Sequence, residues 1–203
     1  MTANANTQQG PRAIVLASSS PYRRELLQRL GMPFSWAAPA VNEDPMPGES
    51  PQDLVRRLAR SKATGLAGAF PGALIIGSDQ VAVLPDGSIL SKPGGHAAGR
   101  LQLQSCSGRL VRFQTGICLL DAACDEMQVD VVECEVLFRP LLDAEIERYL
   151  LAERPYDCAG AFKSEQLGVA LVSGMRLPDP SALIGLPLIT LSAMLRRAGV
   201  PVP

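Results

Sequence analysis

The stretch from residue 13 to residue 31, AIVLASSSPYRRELLQRLG, constrains the fold more than any other part of the sequence. Its first six residues form a short apolar run that is typical of a buried strand. Ser20 can cap a following helix, Pro21 suits its first turn and Gly31 can end it. A buried strand that passes through serines into a helix often presents backbone N–H groups and hydroxyls to a phosphate.

Two adjacent arginines, Arg23 and Arg24, follow in the first turn of that helix. Arginine is favoured at the C-terminal end of a helix, where it meets the negative end of the dipole, and is unfavourable at the start. The dipole costs about 0.3–1 kcal/mol, whereas a charge-assisted hydrogen bond to an anion contributes about 1.5–3 kcal/mol. We therefore expect an anion to bind at this turn.

A second helix pattern begins at Ser50 and Pro51, where Asp53 completes a capping box. An apolar stripe follows, and Lys62 lies on its side of the helix, one turn after Leu58. Spacing alone leaves two interpretations of this lysine. Either it extends along the stripe and reaches solvent, or it serves a buried site.

Residues 73–90 predict a buried strand, a polar break at 78–80 and a hairpin turned at the sequence PDG. Asp79 directly follows the apolar run, and a carboxylate at the end of a buried strand lies at the rim of the sheet, where α/β folds bind ligands. An aspartate in a turn or at a helix cap is the alternative interpretation. Glu43, in a proline-rich loop, and Lys92, after a strand end, are weaker candidates on their own.

The remaining segments complete a mixed α/β pattern. Strands at 109–121 and 127–140 are long enough to pair antiparallel, and a helix capped by Asp143 follows them. Residues 13–203 are predicted to form a single domain, because the chain contains no repeat, linker or low-complexity run. Residues 1–12 are expected to be a disordered leader.

The composition argues against several classes of function. A net charge of −1 offers no broad basic field, which argues against a nucleic-acid polymer as partner. The sequence contains no run of about 18 apolar residues, the length that a membrane-spanning helix needs. The five cysteines show no metal-ligand spacing and are typical of reduced thiols in the cytoplasm. The single histidine, His96, has no nucleophile motif near it, so neither a Ser-His-Asp site nor a histidine-ligated zinc site is expected.

The candidate residues share one chemistry. They are hydroxyls and an arginine at a helix start, two carboxylates and two lysines, all at predicted helix or strand ends. Such groups can bind a polyphosphate together with a divalent cation held by oxygen ligands, and can activate a water molecule. The set therefore favours attack of water on a bound polyphosphate.

Between about residues 13 and 198, the sequence resembles the Maf-like nucleotide pyrophosphatases in the order and spacing of eight motifs. These are LASSSPYRRELLQRLG, the Glu of VNEDP, LARSKA, IIGSDQV, SKP, LQLQSCSGRLVRFQTG, YLLAERPYDCAGAFKSEQLG and LIGLPL. The resemblance implies an α/β fold of the Maf/ITPase type, a mixed sheet flanked by helices in two lobes around a central cleft. It also implies hydrolysis of a nucleoside triphosphate to monophosphate and pyrophosphate with Mg²⁺ or Mn²⁺, in the cytoplasm and often from a homodimer.

Carried over residue by residue, the resemblance implies catalytic roles for four candidates. Asp79 matches the family's proton acceptor, which draws a proton from the attacking water. Glu43 matches a second essential acid, and both carboxylates would hold the metal. Lys62 and Lys92 match two lysines that neutralise charge developing on the phosphates.

The substrate-binding residues implied by the resemblance begin with Ser18 and Arg23, which match phosphate-contacting positions. Within the family, the aromatic-Arg-Arg sequence, GSDQ and CAGAFKSE resemble the branch that removes 7-methyl-GTP as a house-cleaning activity. N7-methylation makes guanine a cation, so Tyr22 could supply an aromatic face, Glu165 an opposite charge and Gln80 an amide for the base edge. The alternative for Tyr22 is packing on the next helix turn.

Two other functions stay open on the sequence. One is hydrolysis of dTTP and UTP, whose branch usually carries Arg at position 22 and Gln-Gly near position 165. The other is a non-catalytic regulator that senses nucleotides and acts on cell division through a partner. The two carboxylates and two lysines together favour catalysis, because a pure sensor needs no base beside its metal site.

Overall fold

The computed structural model describes residues 12–202. Within that range the strands are β1 (Ile14–Ala17), β2 (Ser35–Ala37), β3 (Leu74–Val83), β4 (Ile89–Leu90), β5 (Leu110–Asp121), β6 (Glu126–Phe138) and β7 (Val172–Arg176). The helices are α1 (Pro21–Gln28), α2 (Pro51–Thr64), α3 (His96–Cys106), α4 (Asp143–Glu153), α5 (Pro180–Ile184) and α6 (Leu188–Arg197). Short 3₁₀ helices lie at Ala159–Ala161 and Leu167–Leu171.

These strands form one mixed sheet in the order β2-β1-β3-β5-β6-β7, with β4 paired to β3. β1 is parallel to β2 and β3, whereas β5 is antiparallel to β3 and β6. β3 pairs with β5 along the whole length of β3, from Leu74 to Val83. On the other edge of β3, β1 pairs with residues 74–77 and β4 with residues 82–83. Residues 78–81, which include Asp79, therefore lie at a gap between two neighbouring strands.

Two lobes share this sheet, and each has its own core. In the first, Ile14 and Leu16 pack on the side of α1 and α6, whereas Val15 and Ala17 pack on the side of α2. Burial on both faces explains why β1 is a continuous apolar run. In the second lobe, α3, α4 and one end of β5 and β6 pack around aromatic residues that include Phe113. The predicted fold class, a mixed sheet flanked by helices in two lobes, is confirmed.

The predicted starts of the first two helices are confirmed. Ser20 is the N-cap of α1, and its hydroxyl accepts a hydrogen bond from the backbone of Arg23. Ser50 is the N-cap of α2, and its hydroxyl accepts from the backbone of Asp53. A proline follows each cap, as expected for a position whose N–H has no helical partner.

Two local predictions are wrong. The polar break expected at 78–80 is absent, because β5 supplies backbone partners to each of these residues and β3 continues through them. Asp143 does not cap α4: Leu142 is the N-cap, and its backbone N–H donates to Glu145 at 2.8 Å. The carboxylate of Asp143 instead accepts hydrogen bonds from two side chains of α3.

Two predictions concern the chain as a whole. The leader expected at 1–12 lies outside the described residues except for Arg12, which forms an ion pair with Asp121 at the end of β5. No helix within residues 12–202 is long and apolar enough to cross a membrane. The lack of such a helix among these residues agrees with the hydropathy of the sequence.

Candidate active site

A cleft of about 670 Å³ opens at the gap in the sheet edge, between the two lobes. Its lining comes from α1 and α2, the loop before α2, strands β3 and β4, the segment after β4, the segment after α4, and α5. Eight of the nine predicted site residues line it: Tyr22, Arg23, Glu43, Lys62, Asp79, Gln80, Lys92 and Glu165. The fold therefore brings most of the predicted site together from distant parts of the chain.

Lys62 lies between the two predicted catalytic carboxylates. Its Nζ donates to Asp79 Oδ1 at 2.6 Å and lies 2.7 Å from Glu43 Oε1. The side chains of Lys62 and Asp79 are 8% and 11% exposed, whereas that of Glu43 is 60% exposed. A buried ammonium requires such partners, because leaving it unpaired is costly. Lys62 thus serves a buried site and does not extend into solvent.

Two glycines let α2 approach the sheet closely enough to place Lys62 on Asp79. A Cβ added at Gly77 or Gly116 would lie 2.1 or 2.2 Å from a backbone carbonyl oxygen of α2. Gly116 is the register partner of Asp79 on β5. The backbone of α2 therefore rests where side chains would otherwise stand, which gives these glycines a packing role.

The start of α1 carries positive charge into the cleft. Arg23 Nε donates to the carbonyl oxygen of Gly185 at 2.8 Å, which fixes the guanidinium at the cleft wall. Burial lowers the pKa of Arg23, and the charges of Asp79 and Glu43 partly oppose this shift. Arginine nevertheless stays charged at neutral pH. The remaining N–H groups of this guanidinium can bind an anion in the cleft.

Glu43 is held in the ionised form by its cationic neighbours. Desolvation raises the pKa of Glu43, but the hydrogen bond from Lys62 and the charges of Lys62, Lys92 and Arg23 outweigh this effect and lower the pKa overall. Its negative charge therefore belongs to the resting site. It is available to a cation that enters the cleft.

Ser18 and Gln80 both make hydrogen bonds within the protein, and their predicted contacts with substrate stay predictions. Ser18 is 5% exposed, is not among the residues that line the cleft, and accepts a hydrogen bond from the backbone N–H of Ser20 at 3.1 Å. Gln80 lines the cleft, but its Nε2 donates to the carbonyl oxygens of Ala182 and Leu183 at 2.8 and 3.0 Å. Ser18 shapes the turn before α1, and the amide nitrogen of Gln80 is not free for a base edge.

Tyr22 and Glu165 both line the cleft, and Tyr22 contacts two residues that sequence reasoning missed, Asp157 and Lys163. Tyr22 Oη donates to Asp157 Oδ1 at 3.3 Å, and Lys163 Nζ lies 5.3 Å from the centroid of the Tyr22 ring. Desolvation raises the pKa of Tyr22, so the phenol stays neutral. The ring already attracts one cation, as expected of an aromatic face. The CAGAFKSE motif, which contains Lys163, was the available signal.

The donor atoms at the cleft fit a hard divalent cation. Glu43 and Asp79 supply carboxylate oxygens, the ligands that Mg²⁺ and Mn²⁺ prefer. Within residues 12–202, no group of three His, Cys, Asp or Glu side chains is placed to hold an ion alone. A cation at Glu43 and Asp79 would therefore take its other ligands from phosphate and water, and would share both carboxylates with Lys62.

The sequence matches the family model described as "Maf-like protein" over residues 13–198. A relative from Pseudomonas syringae pv. tomato, named 7-methyl-GTP pyrophosphatase, is 56% identical over 191 residues, which cover 94% of this chain and 99% of that protein. Relatives of the same name from Ralstonia nicotianae and Pseudomonas putida are 52% and 53% identical, cover 93% and 94% of this chain, and are themselves covered to 96% and 98%.

Among solved structures, a nucleoside-triphosphatase / dITP/XTP pyrophosphatase from Mycobacterium abscessus is 20% identical. The match covers 64% of this chain and 75% of that one, with a TM-score of 0.41, and the family assignment does not rest on it. The family model and the three curated relatives each span nearly the whole described chain. This chain therefore belongs to the Maf-like protein family.

Proposed function

We propose that this protein hydrolyses 7-methyl-GTP to 7-methyl-GMP and pyrophosphate and so removes a modified nucleotide. The observation that carries the proposal is the charged cluster of Asp79, Lys62 and Glu43 in the same cleft as the cation-attracting ring of Tyr22. Family membership supports the reaction, and the names of relatives that are 50–56% identical support the substrate.

The triphosphate is expected at the start of α1 and against the cationic groups of the cleft. Arg23, anchored by Gly185, offers its free N–H groups to phosphate oxygens. Lys62 and Lys92 line the same cleft. These three cations stabilise the negative charge that grows on the leaving pyrophosphate as the bond between the α-phosphorus and its bridging oxygen breaks.

Asp79 is the proposed general base. Its Oδ1 accepts from Lys62, whereas its Oδ2 receives no hydrogen bond from the part of the protein that the structure describes. Oδ2 can therefore accept the proton of a water molecule that attacks the α-phosphorus. The ion pair with Lys62 orients the carboxylate during this transfer, and release of the proton to solvent restores the base.

A divalent cation, Mg²⁺ or Mn²⁺, is part of this proposal. Glu43 and Asp79 would hold it together with phosphate oxygens, because their carboxylates are hard donors at the cleft. Such a cation supplies charge neutralisation on the phosphates and lowers the pKa of bound water. Glu43 is ready for this role because its lowered pKa keeps it ionised.

Tyr22 and Glu165 are the proposed source of substrate preference. The positive charge of 7-methylguanine gains about 0.5–2 kcal/mol on an aromatic face, a factor of about 2–30 in affinity over neutral guanine. The carboxylate of Glu165 adds a charge of the sign that attracts this base.

The cellular setting and assembly are also proposed. Free thiols at all five cysteine positions suit a reducing cytoplasm. A homodimer is supported by the resemblance to a family that often forms one. Light scattering on the purified protein decides this point, because a homodimer gives twice the chain mass of 21.5 kDa.

Pyrophosphate release from 7-methyl-GTP, GTP, dTTP, UTP and CTP tests the proposed function, with wild-type protein and Asp79→Asn assayed side by side in Mg²⁺ or Mn²⁺. The expected result is a preference for 7-methyl-GTP, with a loss of about 10²–10⁴-fold in the variant. A preference for dTTP and UTP would show that 7-methyl-GTP is not the substrate and would refute the argument that the Tyr22 ring selects a cationic base. Nucleotide binding without turnover would favour the sensing regulator.

A further inference from the structure

We infer that Arg57 and Glu49 are positioning residues that hold Glu43 in the cleft by clamping its loop to α2. Neither residue lines the cleft. The inference rests on the proposed function, because it gives a positioning role to residues that support Glu43. The inference is argued from the contacts of Arg57 and Glu49, from their exposure, and from the helix that Arg57 shares with Lys62.

The loop that bears Glu43 has little to hold it in place. Residues 38–50, between β2 and α2, contain no helix or strand, and residues 42–48 are all exposed. Glu43 pairs with Lys62 at 2.7 Å, but its side chain is 60% exposed. This pair fixes the carboxylate of Glu43 to Lys62, but it holds the exposed loop at one residue only. A further restraint is needed to keep Glu43 at the cleft.

Arg57 supplies this restraint from α2. Its Nε and one terminal nitrogen donate to the two carboxylate oxygens of Glu49 at 2.6 and 2.8 Å. The same terminal nitrogen donates to the backbone carbonyl oxygen of Asp44 at 3.0 Å. Asp44 directly follows Glu43, so one side chain ties two points of the loop to the helix. A bidentate arginine–carboxylate pair also fixes the relative orientation of its partners.

Glu49 completes the clamp from the side of the loop. Its side chain is only 9% exposed, and its Oε2 also accepts from the backbone N–H of Met46 at 3.0 Å. The hydrogen bond from Arg57 lowers the pKa of Glu49 to about 2. The clamp therefore stays charged near neutral pH and acts as a permanent tether.

α2 joins the clamp to the catalytic centre. Arg57 and Lys62 lie on this one helix, which runs without interruption from Pro51 to Thr64. Lys62 contacts Asp79, and Arg57 holds the loop of Glu43. This one helix thus contacts Asp79, which β3 positions, and holds the loop that carries Glu43. Loss of the clamp should free Glu43 while the pair of Lys62 and Asp79 stays intact.

The test compares Arg57→Gln, Glu49→Ala and the double variant with the wild type. Arg56→Gln is the matched control, because Arg56 is the neighbour of Arg57 on α2 and pairs at 2.9 Å with Asp53, in the first turn of the same helix. The first readout is the rate at which a glutamate-specific protease cleaves after Glu43, measured without nucleotide. The second is kcat and KM for 7-methyl-GTP.

Both single variants should accelerate cleavage after Glu43 by at least about tenfold, because the loop opens more often. Each should lower kcat by about tenfold, since misplacing a catalytic group slows the reaction. KM should change by less than about twofold, because the cations that bind the phosphates are untouched. The double variant should be no worse than either single one, because one clamp is removed in all three. The control should match the wild type.

Unchanged cleavage in Arg57→Gln would overturn the clamp, whatever the activity. Faster cleavage with unchanged kcat would overturn its role in positioning Glu43. If Arg57→Gln does not fold, Glu49→Ala, which keeps the helix sequence intact, decides between the same outcomes. The cleavage assay contains no nucleotide, so an inactive wild type would refute the proposed function and leave the result on the clamp separate.

Discussion

Replacing Gly116 by alanine should push α2 away from the sheet at Val55, about two helical turns before Lys62. The added Cβ would lie 2.2 Å from the carbonyl oxygen of Val55, and real Cβ atoms essentially never come closer than 3.0 Å to such an atom. Both atoms belong to the backbone framework, so no side-chain rotation can relieve the contact. The helix must therefore move by at least about 1 Å to bring this separation above 3.0 Å, and further to regain ordinary van der Waals contact.

Two consequences follow from this displacement. Overpacking a filled core costs about 1–3 kcal/mol, so the free energy of unfolding should fall by that amount. Lys62 moves with the helix, and its 2.6 Å contact with Asp79 lengthens to the limit of a hydrogen bond. Since a misplacement of about 1 Å can cost about 10²-fold in rate, kcat for pyrophosphate release should fall about 100-fold.

Urea unfolding followed by circular dichroism measures the first effect, and steady-state pyrophosphate release measures the second. Gly174→Ala in β7 is the matched control, because its added Cβ would meet nothing within 4 Å. The control should stay within about 0.5 kcal/mol of the wild type and keep its kcat. Wild-type stability and turnover in Gly116→Ala would refute the reasoning that direct contact between α2 and the sheet positions Lys62.

Three further changes probe other parts of the site. Tyr22→Arg should reduce the preference in kcat/KM for 7-methyl-GTP over GTP by about 2–30-fold, because the cation–π contact is lost. An unchanged preference would contradict the role of the Tyr22 ring. Gln80→Glu places a carboxylate against the carbonyl oxygens that Gln80 Nε2 binds in the wild type. The free energy of unfolding, measured by urea denaturation, should therefore fall by about 1–3 kcal/mol, and an unchanged value would mean that these hydrogen bonds are dispensable. Because the folded pKa of Glu49 is about 2, below its usual 4.5, its contribution to stability is complete above that usual value and is lost as the pH falls toward 2. Thermal melts should therefore show a larger loss of stability on acidification in the wild type than in Glu49→Ala, and equal losses would contradict the pKa assignment.

The first residues of α1 and α2, two helices that line the cleft, were predictable because capping is a local interaction. Ser20 and Ser50 each bind a backbone N–H three residues ahead, so the pattern of serine and proline carries the information directly. The same locality placed Arg23 in the first turn of α1, where it lines the cleft. Signals that act within one turn survive in the folded protein.

Asp79 was identified for a reason that the structure corrects. It does not follow the end of a strand, because β3 continues through it to Val83. It reaches the cleft because the neighbouring β1 ends beside Gly77 while β3 goes on. The length of a neighbouring strand is a tertiary property, and no pattern around Asp79 encodes it.

Other parts were missed because their partners are distant in sequence or their exposure hides the periodic signal. The amide of Gln80 binds carbonyl oxygens near residue 182, about a hundred positions away. β7 has four exposed residues out of five, so it lacks the apolar alternation by which strands are predicted. Arg57 and Glu49 lie on opposite sides of the N-cap of α2, so their pairing depends on how the preceding loop folds back onto the helix.

The position of water attack on 7-methyl-GTP tests the central claim most directly. Hydrolysis in ¹⁸O-labelled water, followed by ³¹P NMR and mass spectrometry, identifies both the products and the labelled phosphorus. Because Asp79 is proposed to activate water against the α-phosphorus, we predict equal amounts of 7-methyl-GMP and pyrophosphate, with the label in 7-methyl-GMP. Label in pyrophosphate, or formation of 7-methyl-GDP and orthophosphate, would contradict this mechanism.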